Sequence, residues 1–244
     1  MKLVTWNCQG AFRKKAEAIL ELKPDILVIQ ECEHPDKLEF NSTVPKPNDI
    51  FWYSDGGKKG IGVFSYLDYK FELLPEFNPG YRYIIPINVK GNGQTFTIFA
   101  VWAMNDKENY DARYIGQVWL AINYYKDFLN DATILIGDFN SNKIWDYKGR
   151  VGNHTDVVSN LALKGIYSVY HKYFNFEHGE EKHPSFYLQR NKNKPYHIDY
   201  CFVSLELLKK VKKFEIGEYE NWISFSDHVP LTINFDLSNK MGDR

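Results

Sequence analysis

The seven residues Ile134-Leu135-Ile136-Gly137-Asp138-Phe139-Asn140 constrain this chain more than any other stretch. Three apolar residues in a row make a short buried strand. A glycine breaks it, and Asp138 and Asn140 follow, one residue apart. In extended backbone they point to one side and Phe139 to the other. A carboxylate and a carboxamide then stand together at the end of a core strand, where layered α/β folds place ligand sites. Gly, Asp and Asn also favour plain turns, so the stretch takes its meaning from the rest of the chain.

Two earlier strands end in the same manner. Leu3 to Trp6 stops at Asn7, and Asp25-Ile26-Leu27-Val28-Ile29 stops at Gln30-Glu31. Between them Phe12 to Leu22 has helical spacing, with Ala16, Ile19 and Leu20 on one face and Pro24 after its end. If these strands are neighbours in one sheet, Asn7 and Glu31 meet. Two hairpins follow: Phe51–Tyr53 with Ile61–Ser65 around a turn rich in Gly and Lys, and Tyr81–Val89 with Gln94–Ala103 around Gly91-Asn92-Gly93. Arg113 to Leu129 is an amphipathic helix with Ile115, Val118, Trp119, Ile122, Tyr125 and Leu129 as its buried stripe. A short helix capped by Thr155 or Asp156 runs to Leu163. Ile166–Tyr170, His197–Val203 and Val229–Phe235 read as strands, and Leu205–Val211 as a short helix. Many strands with helices between some of them imply two packed sheets flanked by helices.

A chain of 244 residues suits one two-layer α/β or sandwich domain. No linker or repeat divides it, so residues 1–237 are expected to form a single domain and 238–244 a short disordered tail. No window approaches the ~18 apolar residues of a membrane span, and Met1 to Trp6 reads as a strand rather than a signal peptide. Cys8, Cys32 and Cys201 are scattered, with no CxxC and no disulfide framework, which points to a reducing, cytoplasmic setting; a monomer is the default expectation. Net charge is −1. Dedicated nucleic-acid binders carry a positive excess, so a polyanion here has to be met by a local patch or a metal ion. Three basic clusters offer such patches: Lys143/Lys148/Arg150, Arg190/Lys192/Lys194 and Lys209/Lys210/Lys212/Lys213.

Polar residues thus recur at strand ends: Asn7, Glu31, Asp138 with Asn140, Asp199, and Asp227 with His228. Carboxylates and carboxamides suit a hard divalent cation such as Mg²⁺, and no Cys/His spacing for structural zinc is present. Thr5-Trp6-Asn7, Gln30-Glu31, Gly137-Asp138-Phe139-Asn140, His197-Ile198-Asp199-Tyr200 and Ser226-Asp227-His228 occur in this order from about Leu3 to Phe235. In these motifs the chain resembles the endonuclease/exonuclease/phosphatase superfamily, which includes DNase I, exonuclease III and AP endonucleases. The resemblance implies a four-layer α/β sandwich, two facing mixed β-sheets flanked by helices. It implies Mg²⁺ or Mn²⁺ held by Glu31, Asn7 and Asp227. Asp138 then orients or deprotonates water, Asn140 donates to a phosphate oxygen, and His228 donates to the scissile phosphate with Asp199 behind it.

Further candidates near the substrate are Asn105, Trp102, Ser185, Trp145 and His197. Trp102 stands where many relatives carry Tyr or His, and it offers one N–H and no acidic proton. Ser185 has a hydroxyl for a phosphate, Trp145 a ring for a base, and His197 precedes Asp199 on its strand. His154, His171 and His178 read as surface or packed histidines. The expected activity is metal-dependent phosphodiester hydrolysis by in-line water attack, with DNA as substrate. A small phosphorylated molecule or lipid headgroup is the first alternative substrate, and a non-catalytic binding module on the same fold is the second alternative.

Overall fold

The computed structural model describes residues 1–238, so the expected tail lies outside them apart from Ser238. The chain runs β1 (Lys2–Asn7), α1 (Ala16–Leu20), β2 (Ile26–Cys32), β3 (Asp49–Tyr53), β4 (Gly60–Ser65), β5 (Tyr69–Leu73), β6 (Ile84–Gly91) and β7 (Gln94–Trp102). Next come α2 (Ile115–Tyr124), β8 (Thr133–Asp138), α3 (His154–Leu163), β9 (Ile166–Ser168), α4 (Val169–Phe174), β10 (Phe186–Tyr187) and β11 (Pro195–Tyr196). It closes with β12 (Asp199–Ser204), α5 (Leu205–Leu208), β13 (Val211–Ile216), α6 (Tyr219–Trp222) and β14 (Leu231–Phe235).

Two six-stranded sheets result, ordered β13-β14-β1-β2-β4-β3 and β5-β6-β7-β8-β12-β9. Each is mixed: β1 pairs parallel to β2 and antiparallel to β14, while β7 and β8 are parallel and β8 and β12 antiparallel. The core between the sheets takes Leu3, Ile26, Val28, Ile98, Ala100, Ile134, Ile136, Cys201 and Val203. The alternate residues of the same strands face outward and are also buried. Val4, Leu27 and Ile29 pack with Ile19 of α1, and Phe99, Leu135 and Phe202 with Val118 and Ile122 of α2. Both faces of each central strand are covered, which is why their sequences read as continuous apolar runs. Helices outside two facing sheets make the four-layer α/β sandwich expected.

Some elements differ from the sequence reading. The Phe12–Leu22 helix is broken at Lys15, whose φ of −129° is not helical; a 3₁₀ turn precedes it and only five α residues follow. The helix after Gly152 is capped by Asn153, two or three residues earlier than expected, and Asp156 sits in its first turn, accepting from the N–H groups of Gly152 and Asn153. Ile166–Tyr170 splits into β9 and the start of α4. Strands β5 and β13 carry exposed Lys and Glu on one face, and their sequences give no clear strand signal. No helix among the described residues is long and apolar enough to cross a membrane. The three cysteines are free and buried.

Candidate active site

Along one end of the inter-sheet core the inward-facing residues change from apolar to polar. Leu3 is followed by Thr5 and Asn7, Val28 by Gln30, and Ile136 by Asp138, while Cys201 is preceded by Asp199. Thr5 and Gln30 satisfy each other through a 3.0 Å bond from the Gln30 amide to the hydroxyl. The next layer is the site. Asp138 and Asp199 are directly opposed in the antiparallel β8–β12 register, and Trp102 is opposite Asp138 on the parallel side.

Gly137 does not end its strand as the sequence suggests, because pairing continues through it to Asp138. A Cβ there would lie 2.0 Å from the Val101 carbonyl oxygen, and its φ is +139°. Only glycine lets β7 come this close while β8 carries Asp138 inward. Asn140 adopts φ +46° and folds back. Its backbone N–H donates to Asp138 Oδ1 at 2.8 Å, and its amide donates to Asp138 Oδ2 and to the Ala103 carbonyl, each at 2.9 Å. The amide protons expected on a phosphate are thus engaged in holding Asp138.

Asn7 bridges two carboxylates, donating to Asp138 Oδ2 at 3.0 Å and Glu31 Oε1 at 3.3 Å. The meeting of Asn7 with Glu31 follows from the parallel β1–β2 pair, in which Asn7 is opposite Gln30. Simple alternation would turn Glu31 away from Gln30. A register shift between Ile29 and Cys32 against β4, with φ +54° at Glu31, re-aims it. Its outer oxygen accepts from the Lys59 ammonium at 2.6 Å.

His228 is buried and completes the cluster. Its Nδ1 lies 2.9 and 3.1 Å from the two oxygens of Asp199, the pairing expected across 29 positions. A carboxylate only accepts, so Nδ1 carries the proton or the ring is cationic. Its Nε2 points toward Asp138 Oδ2, 3.9 Å away. Burial opposes the charge on His228, but Asp199 and Asp138 outweigh it and raise its pKa to about 9. For Asp138, burial is the main cause of a pKa raised to about 7, with His228 opposing. Asp227, next in sequence, is half-buried and accepts from Gln9 Nε2 at 2.8 Å.

The substrate candidates fall in different places. Ser185 is fully buried, donates to Asp199 Oδ2 at 2.7 Å and accepts from the N–H groups of Ile198 and Asp199. Its proton is committed to holding Asp199, not to a phosphate. His197 does not line the cleft: it is buried against Tyr170, with Nδ1 on the His183 carbonyl, and burial lowers its pKa to about 4. Trp102 packs in the inter-sheet core against Tyr83. Asn105 is exposed beyond β7. Trp145 is about half exposed and packs on Tyr196 at 5.1 Å. Tyr196 lies beside Phe186, and Phe186 lies 4.7 Å from the His228 ring. A continuous aromatic wall therefore runs from His228 out to Trp145.

Sequence reasoning misses Phe186, Lys59 and Gln9, and it places Arg190 only in a basic cluster. Lys59 reads as part of a turn, and Gln9 follows Asn7 without a pattern. Arg190 donates to Gln9 Oε1, so hydrogen bonds link it through Gln9 to Asp227. The basic clusters are largely taken up inside the molecule. Lys192 pairs with Glu220, Lys209 with Glu206, Lys212 with Asp236 and Lys213 with Glu215. Arg150 holds the Arg113 carbonyl. Lys143, Lys148 and Lys194 remain exposed, with no ion pair among the described residues.

The sequence model of the Endonuclease/Exonuclease/phosphatase family matches residues 4–228. No curated protein matches the chain significantly. Among solved structures, an AP endonuclease from Archaeoglobus fulgidus superposes with a TM-score of 0.66 at 20% identity, covering 97% of this chain and 99% of that one. A 3′ phosphatase from Neisseria bound to product DNA hairpin gives 0.65 at 19%, covering 97% and 99%. The endonuclease domain of TRAS1, a telomere-specific non-LTR retrotransposon, gives 0.64 at 16%, covering 98% and 99%.

Proposed function

The chain belongs to the endonuclease/exonuclease/phosphatase family, and from that premise we propose that it is a divalent-metal-dependent phosphodiesterase, a nuclease that hydrolyses DNA by in-line attack of water. The observation that carries this is the juxtaposition of Asp138 Oδ2 and His228 Nε2 across 3.9 Å, each held by its own partners. Asp138, fixed by Asn7 and Asn140, takes the proton of the attacking water. His228, fixed by Asp199, presents Nε2–H to a phosphate oxygen as charge builds on it. The raised pKa of His228 keeps that proton in place through neutral pH.

The donors present fit a hard cation. Glu31, Asn7 and Asp227 offer oxygen atoms, and Glu31 already attracts a cation, the flexible and half-exposed Lys59. Bound Mg²⁺ or Mn²⁺ supplies Lewis acidity toward the phosphate. Glu31→Gln is expected to raise the Mg²⁺ concentration for half-maximal rate by at least the roughly 10- to 100-fold that loss of even an outer partner costs. A Mg²⁺ titration of initial rates measures it; an unchanged midpoint removes Glu31 from the assignment.

DNA is favoured by the aromatic wall of Phe186, Tyr196 and Trp145, whose exposed end suits stacking on bases. It is also favoured by two similar folds, named as an AP endonuclease and a DNA-bound 3′ phosphatase. The match over residues 4–228 supports reading 1–237 as one domain. A small phosphate ester is the second reading, favoured by the internal pairing of the basic clusters. The test is a panel of labelled single-stranded, double-stranded and abasic DNA, RNA, nucleotides and inositol phosphates, each with Mg²⁺ and with EDTA. If DNA is the substrate, replacing Lys143, Lys148 and Lys194 by Gln weakens binding and flattens its dependence on salt. The log–log slope should fall by up to about one for each phosphate that the variant no longer neutralises. Cleavage confined to small esters, with no DNA binding at low salt, selects the second reading.

A further inference from the structure

A second cluster of metal-ligating side chains lies away from the cleft, at α3, α4 and the irregular segment 175–185. His171 of α4, His178 and Glu181 bring one ligand atom each within 4.8 Å of one another. His154, the first residue of α3, adds Nε2 at 3.1 Å from His178 Nδ1. We propose that His171, His178 and Glu181 form a binding site for a zinc-class divalent ion, a structural staple distinct from the candidate catalytic metal.

The chemistry is the reverse of that in the cleft. Two imidazoles and one carboxylate suit Zn²⁺, whereas Mg²⁺ takes oxygen ligands and keeps its waters. Glu181 is buried, its side chain 4% exposed, and no Lys or Arg among the described residues pairs with it. Its two oxygens are instead pinned by the Gly179 N–H at 3.1 Å, by Asn142 at 3.1 Å and by His171 Nε2 at 3.0 Å. Burial by itself would raise its carboxyl, but these hydrogen bonds hold it well below the usual carboxylate range. A buried anion among imidazoles is a ready partner for a cation. His154 Nε2 and His178 Nδ1 share one hydrogen bond, so one of the two rings donates to the other and each is held in a fixed orientation.

The surroundings allow the exchange. The His171 Nε2–H donates to Glu181, and Nδ1 lies 2.7 Å from the Ser168 hydroxyl, which can donate to a bare nitrogen or accept from a protonated one. When a metal takes Nε2, the ring proton passes through solvent to Nδ1, and Ser168 accepts it. Either tautomer is supported, as an outer partner of a metal-bound histidine requires. The ligand atoms need to close only modestly, to the roughly 3.4 Å spacing of ligands about 2.0–2.1 Å from a tetrahedral ion. An entry route exists: a cavity of about 250 Å³ lined by His171, His178, Lys172, Asn175, Glu177 and Phe202.

The staple would brace the turn after β8. Asn142, two residues past Asn140, donates to Glu181, to the His197 carbonyl and to the Tyr200 hydroxyl. The neighbouring Ser141 hydroxyl meets His154 Nδ1 at 3.3 Å.

The test uses the full chain, stripped with EDTA and returned to millimolar Mg²⁺, which fills an oxygen-ligand site but not this one. Co²⁺ is then titrated by visible absorption and by calorimetry into wild type, Glu31→Gln, His178→Gln and Glu181→Gln. Expected is one Co²⁺ per chain with tetrahedral d–d bands in wild type and Glu31→Gln, displaced by Zn²⁺ and lost in the other two. Zn²⁺ should raise the Tm of wild type and of Glu31→Gln, but not of His178→Gln. In the folded wild type, Zn²⁺ should also shift the imidazole NMR resonances of His171 and His178, which decides the matter even if a cluster variant does not fold. No d–d bands in wild type, bands unchanged in folded His178→Gln, or imidazole resonances that do not move would overturn the site.

Discussion

Asp138→Asn is expected to lower kcat for phosphodiester hydrolysis about 10³-fold, within the roughly 10²–10⁴ that a positioned proton acceptor contributes. The substitution is nearly isosteric but changes the hydrogen-bond sense at a fully buried position. Both Asp138 oxygens accept: Oδ1 from the Asn140 N–H, Oδ2 from the amides of Asn7 and Asn140. An amide at 138 must turn one NH₂ against one of these donors, a mismatch of about 1–3 kcal/mol, while no charge has to be buried. The fold should therefore survive, and a thermal melt checks it. Activity separates a structural role from a chemical one through pH. Since burial raises Asp138 to about 7, wild-type kcat should climb as pH rises through that value and the carboxylate ionises. The residual activity of the variant should show no such climb. A variant with the acid limb intact would mean that another group takes the proton.

Much of this site is legible along the chain because strand alternation carries it. Leu3-x-Thr5-x-Asn7 and Ile134-x-Ile136-x-Asp138 each read as an inward set that turns polar at the same end. The two strands lie in different sheets, and once the sheets face each other across the core these ends meet. Glu31 is legible as a strand-end carboxylate, but its direction is not, since alternation points it outward and only the bulge against β4 turns it in. Asn140 and Ser185 are legible as polar residues near the cleft. Their partners are not, because hydrogen bonds to Asp138 and Asp199 depend on where the backbone folds back. Lys59, Phe186 and the His171–His178–Glu181 cluster come from segments with no clear period, and only the tertiary fold brings them to their neighbours.

His228→Ala and Asp199→Ala are each expected to cost about 10²-fold or more in kcat, the range for loss of one transition-state donor. The double variant should cost far less than the product of the two. Asp199 acts through His228: its carboxylate holds Nδ1 at 2.9 Å, and Ser185 and the strand partner Asp138 hold Asp199 in turn. With the imidazole gone, the carboxylate has nothing to orient, and with the carboxylate gone, the ring loses both its aim and its proton. Asp199→Asn tests the second loss by itself, because it keeps the volume. Wild-type activity should fall only above about 9, where His228 gives up its proton, and in Asp199→Asn that alkaline limb should move to lower pH. Stability should follow the same group. Folded His228 holds its proton up to about 9 against 6.5 in the unfolded chain, so its stabilisation is complete below 6.5 and is lost as pH rises to about 9. The wild-type advantage in Tm over Asp199→Asn should therefore shrink across that interval. Fully multiplicative single effects, or an alkaline limb that Asp199→Asn leaves in place, would show that the two residues do not act as a unit.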